Sequence, residues 1–191
     1  MPAPQLLCTL ALSGVLLAAV ISDVRTRRIP NLLVAAGMLA GLALQVLAPH
    51  SEGLFAFWWG GLGLAQALLG LLAGLAIFMP LHLIRVVGAG DVKLLAMAGV
   101  WLGPKMLPGA VLLTLLAGGV MALVAMLASH STRQVLANVR VMLTSALIDV
   151  QLGRPAALDA PAPGAIRLPY ALAIAIGTLG EVGWVLLHAQ P

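Results

Sequence analysis

Charged residues interrupt this chain so rarely that long apolar stretches lie between them. The uncharged stretches run over residues 1–22, 29–51, 53–84, 94–104, 106–132 and 168–180. A helix needs about 20 apolar residues to cross the hydrocarbon core of a bilayer, which is roughly 30 Å thick. The pattern predicts helices at residues 5–22, 31–48, 61–84, 91–102, 107–128 and 169–188. The expected fold class is therefore all-α, a polytopic membrane helix bundle of about six transmembrane helices.

The fourth predicted helix is too short to cross a membrane alone. Its twelve residues, 91–102, rise about 1.5 Å each, which gives a length of roughly 18 Å. We therefore expect the preceding segment Gly88-Ala89-Gly90 to lie below the membrane surface. Irregular backbone at that depth is tolerated only where it is buried in protein or lines a wet cavity. This segment is the first candidate site.

Composition excludes two other classes of protein. Of the 191 residues, 62% are hydrophobic and 8% are charged, and the mean hydropathy is +1.10. A soluble domain carries roughly a quarter charged residues, and a disordered chain needs far more polar residues than this. The single cysteine, Cys8, can form neither an internal disulfide nor a zinc site by itself. We expect one membrane domain over residues 1–191.

The distribution of basic residues predicts the orientation in the membrane. Six spans place three loops on one side, and nine of the ten Lys and Arg residues lie in or beside these loops. They are Arg25, Arg27, Arg28, Arg85, Lys93, Arg133, Arg140, Arg154 and Arg167. The other side has only Lys105. The positive-inside rule then makes the three loops cytoplasmic and both termini periplasmic.

The first apolar stretch is expected to be a retained helix rather than a cleaved signal peptide, since no Lys or Arg precedes Arg25. The third cytoplasmic loop, residues 129–168, contains an apolar stripe over residues 133–150 that predicts a helix lying on the inner leaflet. Residues 153–169 are rich in Pro and Gly and read as a loop. A plain linker without a helix is the alternative for this region.

Two aspartates are placed at the same end of the predicted bundle. Asp23 ends the first helix at its cytoplasmic end, and Asp91 begins the fourth helix, which starts from the same side. Two carboxylates that share a proton can hydrolyse a peptide bond, because one activates water while the other polarises the carbonyl group. The alternative is that Asp23 pairs with Arg25 or Arg27 and that Asp91 only caps its helix.

Two short motifs surround these aspartates. Asp91 lies in Gly88-Ala89-Gly90-Asp91-Val92-Lys93, a GxGD pattern, and Asp23 precedes Pro30-Asn31 by a fixed spacing, D-x6-PN. We expect the glycines to allow close backbone approach and conformations that other residues avoid. Together the motifs resemble those of the GxGD aspartic peptidases, specifically the type IV prepilin peptidases. The match is best to the short form that serves Flp/Tad-type pili, and it extends over nearly the whole chain.

The resemblance implies a role for each matching residue. Asp23 and Asp91 match the two catalytic aspartates of the family. Gly88, Gly90 and Lys93 match the rest of the second motif and would bind substrate or shape the site. Pro30 and Asn31 match the PN pair that opens the second helix, where proline is tolerated in any protein.

The resemblance also implies an activity, a partner and a location. The chain would be an aspartic endopeptidase that cleaves the basic leader of type IV prepilins at the cytoplasmic face of the bacterial inner membrane. Its partners would be a prepilin and membrane lipid, with no nucleic acid. No cofactor and no metal are expected, and the paired Cys-x-x-Cys segment of the long, methyltransferase-bearing forms is absent.

The sequence also leaves open two interpretations from other functional classes. A small ion-coupled transporter would use Asp23 and Asp91 in a cation path. A non-catalytic pilus assembly factor would keep the fold without the chemistry. Proteolysis of a prepilin discriminates both from a peptidase.

Overall fold

The computed structural model describes residues 3–56, 59–84, 86–128 and 168–188, together with residues 140, 141, 144 and 151. Across this part of the chain the structure is helical, with two isolated β-bridges in the segment between the second and third helices. The helices are α1 (Ala3–Thr26), α2 (Asn31–Leu47), α3 (Leu64–Leu83), α4 (Ala89–Ala128) and α5 (Tyr170–His188). The all-α prediction is confirmed for the described residues.

The end of α1 differs from the prediction. The predicted helix stops at residue 22, before the first charge, whereas α1 continues to Thr26. A helix can propagate beyond the apolar stretch because its backbone hydrogen bonds do not depend on apolar side chains. Asp23 therefore lies in the last turn of α1 and not in the loop after it.

The two helices predicted at 91–102 and 107–128 form one element, α4, with a break inside it. A straight helix of 40 residues would be about 60 Å long, far more than a hydrocarbon core of roughly 30 Å. Gly103 interrupts α4 with φ 70° and ψ 174°, and Pro104 follows it. A positive φ suits glycine, which has no Cβ to clash. The break defines an N-terminal arm, residues 89–102, and a C-terminal arm, residues 104–128.

The N-terminal arm of α4 forms the centre of the bundle. Every residue from Leu94 to Gly103 is buried, as expected for a helix that is apolar on all sides. The helices α3 and α5 pack most extensively on α4, while α1 packs against α5 and α2. Gly70 of α3 touches the backbone of Gly99 in this arm. Small residues at the crossing let the two helix backbones approach closely.

A buried glutamine completes the broken end of the N-terminal arm. A helix leaves its last carbonyl groups without partners inside the helix. Gln45 of α2 is fully buried, and its Nε2 donates to the carbonyl oxygens of Val100 and Trp101 at 3.2 and 3.0 Å. The backbone N–H of Leu62 in turn donates to Gln45 Oε1 at 2.8 Å. Gln45 thereby joins α2 and the segment before α3 to the break in α4.

Four of the described helices, α1, α3, α4 and α5, are long and apolar enough to cross a membrane. The helix α2 is apolar but has only 17 residues. The prediction of six spans is therefore not confirmed, and the periplasmic position of the termini stays a prediction. The helix predicted over residues 133–150 lies mostly outside the described residues.

Candidate active site

Asp23 lies in the last turn of α1, half-buried, where the chain turns sharply toward α2. Arg27, the first residue after the helix, has a φ of 54°, and its N–H donates to the carbonyl oxygen of Asp23 at 2.9 Å. A left-handed residue at this position is a common way to end a helix. The hydroxyl of Ser22 donates to the carbonyl oxygen of Arg28 at 2.8 Å and holds the turn in place. This turn therefore fixes the backbone position from which the Asp23 side chain extends.

The two predicted motifs meet through a side-chain hydrogen bond. Pro30 has extended backbone and is the N-cap of α2, so that Asn31 is the first residue of that helix. Lys93 Nζ, on the first turns of α4, donates to Asn31 Oδ1 at 3.0 Å. Lys93 and Asn31 therefore link the start of α2 to the start of α4, next to the aspartates.

Asp91 lies in the first turn of α4 and is half-buried. Its Oδ2 accepts the backbone N–H of Gly88 at 3.2 Å, so the carboxylate caps its own helix. A carboxylate at this position also interacts favourably with the helix dipole. The helix-capping contact that the sequence offered as an alternative for Asp91 is thus present. The position of Asp23 relative to this carboxylate is described below.

The expectation that the motif glycines adopt unusual backbone conformations is wrong. Among the described residues, positive φ values occur at Gly53, Gly63, Gly103 and Arg27. Gly88 instead provides space, because a Cβ there would lie 3.1 Å from Asp91 Oδ2. A Cβ on Gly90 would make ordinary contacts of 3.4 to 3.5 Å with the side chain of Ile29. Close approach, rather than backbone freedom, is what glycine supplies at residue 88.

The Asp23 and Asp91 carboxylates lie within electrostatic range of each other, although 67 residues separate them in the sequence. One comes from the end of α1 and the other from the start of α4. Both are partly accessible to solvent. Carboxylates that approach within hydrogen-bonding distance can hold one proton between them.

A third helix end completes the site. The N–H of Ala171, in the first turn of α5, donates to Asp23 Oδ2 at 3.3 Å. The charge of Asp91 in turn acts on the phenol of Tyr170, the first residue of α5. The end of α1 and the starts of α4 and α5 therefore converge on the aspartate pair.

Each of the two carboxylates accepts a backbone N–H, Asp91 from Gly88 and Asp23 from Ala171. Cys8 is buried in α1 as a free thiol. In the described part of the chain, no group of three or more His, Cys, Asp or Glu side chains is placed to hold a metal ion.

Sequence reasoning missed the contribution of α5. The start of this helix was predicted at residue 169, one residue from the observed start, but no role was assigned to Tyr170 or Ala171. The contact between Ala171 and Asp23 spans 148 residues of sequence. The sequence contains only a local signal here. Pro169 before an apolar stretch marks the start of a helix, but it does not indicate which residues that helix start contacts.

The comparisons with known proteins agree on one family. Residues 10–123 match the type IV leader peptidase family. Two curated relatives, from Burkholderia pseudomallei strains 1026b and K96243, are 33% identical over 131 residues. Both are named prepilin leader peptidase/N-methyltransferase. No solved structure matches.

The similarity covers only part of this chain and a smaller part of each relative. It covers 65% of this chain and 39% of each relative. The family match includes Asp23 and Asp91 together with both motifs, and it ends before α5. The contribution of α5 to the site is therefore seen in the structure and lies beyond the matched residues.

Proposed function

The chain belongs to the type IV leader peptidase family, and we propose that it is an aspartic endopeptidase that removes the basic leader of a type IV prepilin. Its membrane-capable helices and its family make it a multi-pass membrane protein. Asp23 and Asp91 are the catalytic residues in this proposal. The observation that supports it is that these two half-buried carboxylates, from separate helices, lie within electrostatic range of each other and that Asp23 accepts an N–H from the start of a third helix.

The proposed reaction needs one proton shared between the two carboxylates. The ionised aspartate accepts a proton from a water molecule, whose oxygen attacks the scissile carbonyl carbon. The protonated aspartate donates its proton to the carbonyl oxygen, and a tetrahedral intermediate forms. When this intermediate collapses, the C–N bond breaks and the leaving amine takes a proton from the pair. Water supplies all the atoms that are added, and no metal or cofactor takes part.

Backbone groups prepare the carboxylates for this reaction. Gly88 N–H holds Asp91, and Ala171 N–H holds Asp23. Both donors belong to helix N-terminal turns, where the helix dipole favours negative charge. Groups held in this way need little rearrangement when the reaction starts, which lowers the barrier.

The proposed substrate has a short basic leader followed by an apolar helix, as in Flp/Tad-type prepilins. Its apolar helix would lie in the bilayer, and its leader would remain at the cytoplasmic face of the inner membrane. The concentration of Lys and Arg at the aspartate end supports this orientation. Arg25 and Arg28 are exposed there and suit the anionic headgroups of membrane lipid.

The substrate strand would pass along the segment from Gly88 to Gly90, next to Asp91. Neither glycine carries a side chain that would keep an extended backbone away from the carboxylate. Lys93, Pro30 and Asn31 would maintain the site by joining α2 to α4. The proposal does not extend to the methyltransferase activity in the relatives' names, since only 39% of each relative is matched.

A reconstituted assay tests the proposed function. The purified protein is placed in phospholipid vesicles with a Flp/Tad-type prepilin, and the products are identified by mass spectrometry. We expect a single cut that releases the basic leader, with the same rate in the presence of EDTA because no metal takes part. Mature pilin, which has no leader, serves as the control and should remain intact. An uncleaved prepilin combined with cation uptake into the vesicles would support a transporter instead.

A further inference from the structure

Tyr170 is fixed on two sides by other helices. Its ring lies 6.1 Å from the ring of Phe78 in α3, centroid to centroid, at a tilt of 53°. On another side it meets Gly118, in the C-terminal arm of α4, where an added Cβ would lie 3.1 Å from Tyr170 Cε2. A side chain that packs against two other helices fixes the start of its own helix.

The start of α5 is also the part that reaches the aspartates. Ala171, the next residue, donates its N–H to Asp23 Oδ2 at 3.3 Å. The Ala171 nitrogen is bonded directly to the Tyr170 carbonyl carbon, so a displacement of the Tyr170 backbone moves this N–H with it. The position of the ring and the hydrogen bond to Asp23 are therefore linked through the backbone.

We propose that Tyr170 is a positioning residue of the aspartate pair: its ring, held between Phe78 and Gly118, keeps the Ala171 N–H on Asp23. The inference rests on the proposed peptidase function and adds a residue outside both sequence motifs. In this proposal the packing of the aromatic ring matters more than the hydroxyl group. Asp91 also lies within electrostatic range of the Tyr170 phenol.

Two substitutions at residue 170 separate the ring from the hydroxyl. Tyr170→Ala removes the anchor, and misplacing a reacting group by about 1 Å can cost about 100-fold in rate. We expect a loss of that order in kcat with little change in KM. Tyr170→Phe keeps the ring and is expected to recover most of the activity that Tyr170→Ala loses. If Tyr170→Phe loses as much activity as Tyr170→Ala, the hydroxyl carries the effect and the proposal is overturned.

A matched pair of glycine variants tests the same anchor without changing Tyr170. Valine at Gly118 would collide with the ring, whereas a Cβ at the neighbouring Gly119 meets nothing within 4 Å. Both variants make the same Gly→Val change in helix propensity. We expect Gly118→Val to lower kcat about tenfold or more, and Gly119→Val to cleave as the wild type does. Equal rates for the two would contradict the proposal.

The split between kcat and KM, together with thermal unfolding, distinguishes positioning from a general loss of stability. A positioning role predicts a lower kcat with unchanged KM and unchanged melting temperature in Tyr170→Ala and Gly118→Val. A melting temperature that falls in both variants in proportion to their activity would overturn the proposal. If the wild type does not cleave prepilin at all, the proposed function fails, whereas cleavage by all variants at the wild-type rate refutes only the role of Tyr170.

Discussion

At the scale of single residues, the site depends on the space that glycine, which has no Cβ, leaves for neighbouring groups. Gly88 and Gly90 flank one residue of the same motif, but their surroundings differ. The space beside Gly88 is filled by the Asp91 carboxylate, whereas Gly90 has room for a methyl group against Ile29. The two glycines are therefore expected to respond differently to the same substitution.

Gly88→Ala should displace the Asp91 carboxylate and lower kcat by about 10- to 100-fold. Gly90→Ala leaves Asp91 where it is, so any loss should appear in KM, as expected where a substrate strand lies along the backbone. Steady-state cleavage of prepilin in vesicles measures both constants. A rise in KM with unchanged kcat in Gly88→Ala would show that Gly88 does not hold the place of Asp91.

At the scale of helices, the break at Gly103 limits the N-terminal arm of α4 to residues 89–102, with Asp91 in its first turn. The arm is fully buried from Leu94 onward, and Gln45 satisfies the carbonyl groups at its end. The break and its glutamine lie at the opposite end of the bundle from the aspartates. The stability of the N-terminal arm and the position of Asp91 therefore depend on the same short helix.

Replacement of Gln45 by leucine should destabilise the fold. It leaves the carbonyl oxygens of Val100 and Trp101 and the N–H of Leu62 without this partner, at a cost of about 1 to 3 kcal/mol for a buried unsatisfied group. Thermal unfolding in detergent measures the change. Gln66→Leu, at an exposed position on α3, is the matched control and should melt near the wild-type temperature. Equal melting temperatures for the two variants would contradict this role of Gln45.

Helix positions could be predicted from the sequence because they leave local signals, and the proposal of Asp23 and Asp91 as a pair also came from local motifs. Apolar stretches mark the helices, and the motifs around Asp23 and Asp91 are short. The role of Gln45, the anchor at Tyr170 and the bond from Ala171 to Asp23 depend on packing between distant segments. No local pattern reports such packing. The glycine conformations at residues 88 and 90 were mispredicted because a motif shows that a Cβ is absent but not whether space or backbone angle requires it.

At the scale of the whole molecule, three helix ends converge on two carboxylates at one end of an apolar bundle. Most Lys and Arg residues of the chain belong to the loops predicted for that end. In the proposed orientation, the two carboxylates face the cytoplasm at the point where a membrane-inserted substrate emerges. A peptidase with this architecture would hold its substrate by the apolar helix in lipid and cut at the membrane surface.

The central claim is that Asp23 and Asp91 act together on one peptide bond. The most direct test is the rate of prepilin cleavage by Asp23→Asn and by Asp91→Asn, each measured in vesicles beside the wild type. Asparagine keeps the size and much of the hydrogen bonding but cannot carry or share the proton. Glu52→Gln, at an exposed position in the segment between α2 and α3, controls for the loss of one carboxylate. Each Asn variant should insert normally and lose about 1000-fold or more in cleavage rate, while Glu52→Gln cleaves as the wild type does. Cleavage at the wild-type rate by either Asn variant would contradict the two-aspartate mechanism.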